Sequence, residues 1–171
     1  MHKIFRYIFI FLLFNIAILS KEPTLAILRS VDTNEYQKFS IGMYEFICRP
    51  YGVVTLEELF QRAEANSLCQ TSINEFYLKN HMQRYFAQNL LKNRQTYHIE
   101  FKENRCILYA KGRLSMSELL IQNGLAFKKP NFKDKEFEHS FTQSQEYAQR
   151  LEIGLFKEKI EKKCVSELSK F

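Results

Sequence analysis

The 171-residue chain has no Cys-x-x-Cys pair, no clustered histidines, no internal repeat and no low-complexity linker. His81, His98 and His139 are scattered, and Cys48, Cys69, Cys106 and Cys164 stand far apart, so neither a zinc site nor dithiol redox chemistry is expected. No sign of charge dominates: 25 Lys+Arg against 19 Asp+Glu leaves a formal charge of +6. Such an excess permits a polyanionic partner without requiring one. The 46% hydrophobic content excludes a disordered chain, and the length suits one compact domain.

The first twenty residues carry Lys3 and Arg6, then an apolar run from Ile8 to Leu19 and a small residue, Ser20. This order of basic, apolar and small residues describes a secretory signal peptide over 1–20. An uncleaved membrane anchor is the other reading, although the run is short of the ~20 residues that span a bilayer. No cysteine follows the run, which disfavours a lipid anchor. Either reading places the domain outside the cytoplasm, periplasmic or secreted where the signal is cleaved and membrane-anchored where it is not. Cleavage would remove Lys3 and Arg6 but no acid, lowering the charge from +6 to +4. The four cysteines all follow Ser20, and an even count in an exported chain favours disulfides, with three connectivities open. Cys48 and Cys106 lie in apolar, strand-like runs, so buried free thiols are the alternative for them.

Strands are expected near 25–31, 36–41 and 44–48, where β-branched and aromatic residues alternate between turn-forming stretches. A helix-prone stretch runs from Thr55 to Asn80, with Thr55 as N-cap and Glu58 completing a capping box. Met82, Tyr85, Phe86 and Leu90 recur at helical spacing and predict one further helix ending near Asn93. Residues 96–101 and 106–109 read as a hairpin. Ser115 and Glu118 cap a short helix over 116–122, which Gly124 stops before Leu125-Ala-Phe127 returns to the sheet. Phe137, Phe141, Ser144, Ala148 and Leu151 mark one face of a last helix. The charged tail, 157–171, reads as peripheral to a main domain spanning 21–156.

Arg49-Pro-Tyr-Gly-Val-Val-Thr-Leu-Glu57 resembles the Arg-x-x-Gly-x-Asp-x-x-Glu segment of the staphylococcal nuclease (thermonuclease) family, with Arg49, Gly52 and Glu57 in register. The likeness continues through His98-Ile-Glu-Phe101, Cys106-Ile-Leu-Tyr-Ala-Lys-Gly112, Ser117-Glu-Leu-Leu-Ile-Gln-Asn-Gly-Leu-Ala126 and the closing block Ser144–Phe156. It implies an α+β fold: a five-stranded OB-type β-barrel with three main helices, to which residues 58–82 add a helical insertion. It also implies phosphodiester hydrolysis of DNA or RNA, with calcium as cofactor, Glu57 as the catalytic carboxylate, and Arg49 and Arg105 gripping the phosphate. An ungapped register from Gly112 would put Glu103 in place of Arg105.

The implied metal ligands fall on Asp32, Asn34 and Thr55, the last through its carbonyl. Asn34 replaces one carboxylate of the family pattern and Val54 the other. Because ligand charge sets the affinity of calcium sites, this pair of replacements predicts severe weakening. Glu35 would restore a ligand if the turn shifted by one residue. The alternative function is a noncatalytic OB-fold module that binds nucleic acid or another envelope protein. Phe60, Phe76 and Tyr77 of the insertion are either its own core or a stacking surface for bases.

Overall fold

A computed structural model describes residues 23–171; the signal expected over 1–20 lies outside them. The first strand, β1 (Thr24–Val31), buries Ala26 and Leu28 and exposes Leu25 and Ile27, as a two-residue period requires. It pairs antiparallel with β2 (Gln37–Ile41), which pairs antiparallel with β3 (Tyr44–Cys48). On its other side β1 pairs with β5 (Thr96–Lys102), which forms the expected hairpin with β6 (Arg105–Lys111). A short β7 (Leu114–Ser115) completes a six-stranded sheet ordered β3-β2-β1-β5-β6-β7. The chain is therefore a mixed α+β protein with a mostly antiparallel sheet.

The return strand expected at 125–127 does not join that sheet. It forms β8 (Ala126–Lys128), which pairs with β4 (Val53–Thr55) in a separate two-stranded ladder. The continuation of β3 also reaches across the fold. Cys106 donates its N–H to the Arg49 carbonyl at 3.0 Å, and its own carbonyl accepts from Tyr51 N–H at 3.1 Å. Cys48 and Cys106 are disulfide-bonded, with Cα atoms 5.5 Å apart, so the free-thiol alternative does not hold. Together these links set Arg49 beside Arg105. Gly52, three residues on, has φ +71°, and a Cβ there would meet the Phe132 ring at 2.6 Å, so a side chain is excluded twice over.

The helix-prone stretch from 55 to 80 is two helices, α1 (Leu56–Arg62) and α2 (Leu68–Lys79). Ala63 leaves helical geometry, Asn66 adopts φ 61°, and the Ser67 hydroxyl restarts the helix by accepting from Gln70 N–H. The single helix expected around 82–90 is likewise α3 (His81–Arg84) and α4 (Phe86–Leu90), interrupted at Tyr85. Its expected apolar stripe is partly exposed, with Met82 at 62%. By contrast α5 (Met116–Gln122) has the complete Ser115–Glu118 capping box, and Gly124 follows it at φ 61°. In α6 (Glu138–Arg150), Phe141, Ser144 and Ala148 are buried, while Leu151 lies outside the helix and is half exposed.

The tail is not peripheral. After a 3-10 turn at Gly154–Phe156 it forms α7 (Ile160–Lys163) and α8 (Val165–Leu168). Ile160 and Cys164 are fully buried, and a Cys69–Cys164 disulfide ties the tail to α2. Charge at most tail positions conceals the two residues that anchor it. Among the described residues no helix is long and apolar enough to cross a membrane.

Candidate functional site

Three arginines converge on one buried carboxylate. Glu58 Oε1 accepts from Arg105 at 2.6 Å, Arg62 at 3.0 Å and Arg49 at 3.1 Å. Glu35, also fully buried, accepts from Arg49 Nε at 2.6 Å through Oε1 and from the Thr55 hydroxyl at 2.6 Å through Oε2. Arg105 reaches Glu35 at 3.5 Å and donates to the Pro50 carbonyl at 3.1 Å. Burial pushes the Glu35 carboxyl above its ordinary range, although its Thr55 hydrogen bond and the neighbouring arginines pull against that shift. For Arg49 burial opposes the charge, but Glu35 outweighs it and holds the guanidinium above its usual value.

Local structure explains why Glu58 faces inward. Thr55 is the N-cap of α1, and its hydroxyl accepts from Glu58 N–H at 3.1 Å. Only this half of the expected capping box forms, because the Glu58 carboxylate is drawn to the arginines instead of returning to the Thr55 amide. Ionic hydrogen bonds are roughly twice as strong as neutral ones, and three donors outweigh one amide. The sequence signal available for this arrangement is the four-residue spacing of Glu58 and Arg62, an ordinary helical ion-pair spacing.

Glu57 turns to another side of α1. Its Oε1 accepts from Asn34 Nδ2 at 2.8 Å, and Asn34 also donates to the Gln83 carbonyl at 3.0 Å while its Oδ1 accepts from Ala87 N–H at 2.9 Å. Burial pushes the Glu57 carboxyl up to about 7, against hydrogen bonds from its own backbone, Tyr77 and Asn34 that favour the charged form. Burial, and after it the neighbouring Glu57 carboxylate, push the Tyr77 hydroxyl well above its ordinary value.

The structure therefore brings Arg49 and Arg105 together, and groups Asn34 with Glu57, but no ion pair or hydrogen bond joins Glu57 to either arginine among the described residues. Val54 is fully buried hydrocarbon, the polar atoms of the Asn34 side chain are all engaged, and the Asp32 carboxylate accepts from Ser30. Asn34 also donates two hydrogen bonds at this point, the opposite of what a cation ligand offers. Among the described residues no three His, Cys, Asp or Glu side chains gather as a metal site.

Two clefts flank the cluster. One, of about 360 Å³, is lined by Tyr51, Asn104, Arg105, Lys129, Lys133 and Phe171 among others. The other, of about 590 Å³, contains Glu57 and Tyr77. No protein-family model matches the chain, and no curated protein matches it.

Proposed function

We propose that the chain is an exported, noncatalytic binding module of thermonuclease-like descent, in which the residues corresponding to a phosphodiesterase site have become a structural ion cluster. One observation carries this reading: Arg49 and Arg105 are occupied by Glu35 and Glu58, while Glu57 is hydrogen-bonded elsewhere. Hydrolysis of a phosphodiester needs cation, base and guanidinium donors to converge on one phosphorus. Here the guanidinium groups converge on a carboxylate of the chain itself.

The OB-type barrel is part of the proposal, supported by the bridge and disulfide that link the end of β3 to β6. Export is supported by the N-terminal basic-apolar-small pattern and by two disulfides, which persist in oxidising compartments. The partner is single-stranded DNA or RNA, gripped by its backbone at the smaller cleft. Lys129 and Lys133 have no ion-pair partner among the described residues, and Tyr51 and Phe171 offer aromatic surface beside them.

The test is fluorescence anisotropy of a labelled oligo-dT against the protein lacking residues 1–20, across a salt series. The expected result is binding that weakens with salt, with a log–log slope that shrinks by about 0.7 for each phosphate freed by Lys129→Glu or Lys133→Glu. Absence of salt-dependent binding, or a slope unchanged by both substitutions, would overturn the assignment.

A further inference from the structure

One end of the six-stranded sheet is rimmed by exposed apolar side chains, and β1 begins at that end. β2 and β3 are joined through Gly42-Met43, and Met43 is 97% exposed, with Tyr44 next to it at 82%. Ile27 pairs with Ser40, so continuing the register sets Leu25 level with Gly42. Thr24 pairs with Ile99, which brings Phe101 to the same end. Leu25 and Phe101 are exposed as well. Behind them the apolar surface runs into the core: the Phe101 and Phe46 ring centroids are 5.0 Å apart, and Phe46 stacks on Phe39 at 6.0 Å. Tight hairpin turns ordinarily carry glycine, asparagine or aspartate. A methionine and a tyrosine there hold apolar area in water that the fold itself leaves uncovered.

The chain that leads into the rim indicates what covers it. Residues Ile8 to Leu19 form an apolar run, and only five residue steps separate Leu19 from Thr24, about 17 Å at full extension. The run is shorter than the ~20 residues that span a bilayer, so an anchor made of it gains from a second contact. The charges beside the rim point to apolar burial rather than ionic attraction. Glu45 is exposed next to Tyr44, and Lys102, next to Phe101, is paired with Glu136 at 3.1 Å.

We propose that this rim docks on the surface of a phospholipid bilayer, with Met43 entering the acyl boundary, the Tyr44 ring at the headgroup level, and Leu25 and Phe101 against the interface beside them. Tyrosine suits that level because its ring is apolar and its hydroxyl stays wet. The 8–19 run, where it is retained, enters the same bilayer and holds the rim against it. Glu45 disfavours anionic headgroups, so zwitterionic lipid suffices and salt does not loosen the contact. The surface is separate from the cleft assigned to nucleic acid and does not depend on that reading, since one contact is apolar and the other ionic.

The chain has no tryptophan, so a single one introduced into the full-length protein reports alone. Met43→Trp and, as a control, Leu78→Trp at an exposed position of α2 are reconstituted with phosphatidylcholine vesicles whose acyl chains carry bromine, a contact quencher of indole. Emission from Met43→Trp is expected to be quenched and blue-shifted, in low and high salt alike, and emission from Leu78→Trp to be neither. Adding Tyr44→Ser to Met43→Trp moves the docked–undocked equilibrium about tenfold toward undocked, as loss of one partly buried aromatic side chain requires. Absent quenching, equal quenching at the two positions, quenching abolished by salt, or quenching indifferent to Tyr44→Ser would overturn the proposal. A blue shift of Met43→Trp without lipid would also overturn it, by putting another occupant on the rim: a second copy of the chain if dilution reverses the shift, and the 8–19 run if it does not.

Discussion

Glu58 is the residue on which the cluster depends. Its Oε1 serves three guanidinium groups, whereas Oε2 has no hydrogen-bond partner among the described residues, so the carboxylate acts as a point anion at a triple-arginine junction. Glu58→Gln would leave those cations facing one another around a neutral amide, and breaking a buried ion network costs on the order of 3 kcal/mol. Urea unfolding is expected to show that loss, and added phosphate or sulfate to restore part of it by binding where the carboxylate was. A variant as stable as the parent, with no response to either anion, would contradict the arrangement. Glu57 makes a second prediction through pH. Its folded value, about 7, lies above the ordinary 4.5, so the folded state holds a proton that the unfolded chain releases between those values. The resulting stabilisation is complete below 4.5 and disappears as pH rises through 7, on the order of 3 kcal/mol in all. Glu57→Gln should flatten this part of the stability–pH curve, read by denaturation at pH 5 and pH 8.

The elements differ in how plainly they are written in the sequence. The Ser115–Glu118 box, the 96–111 hairpin and the first three strands are legible, because capping and alternation are local signals whose partners lie a few residues away. The breaks at 63–67 and 85 are not, because no proline marks them and the helix-forming residues on each side hide a change of direction. At the site, the proximity of Arg49 and Arg105 follows from the motif and the hairpin. The diversion of their charge to Glu35 and Glu58 does not, since it depends on side-chain direction around α1. The tail is hidden for a similar reason: Ile160 and Cys164 are two buried positions in a charged segment. Replacing Cys69 and Cys164 together by serine should lower stability by about 3–5 kcal/mol, as expected for a bridge closing a long loop. Limited proteolysis should then cut first after the lysines of 157–163. Unchanged stability and an uncut tail would show that packing alone holds α7 and α8.

Over the whole molecule, the two disulfides secure different parts of the same site. Cys48–Cys106 fixes the strands that carry Arg49 and Arg105, and Cys69–Cys164 fixes the insertion and tail around them. The centre is charged, with three guanidinium groups set against the carboxylates of Glu35 and Glu58, and two clefts lie beside it. The sequence resembles a nuclease, whereas Arg49 and Arg105 meet Glu35 and Glu58, and Glu57 is bonded to Asn34. The most direct test is incubation of purified protein with single-stranded DNA in calcium, in magnesium and in chelator, with products resolved by length. Intact DNA is expected in all three conditions, for the parent and for Glu57→Gln alike. Metal-dependent cleavage that Glu57→Gln abolishes would contradict a noncatalytic centre.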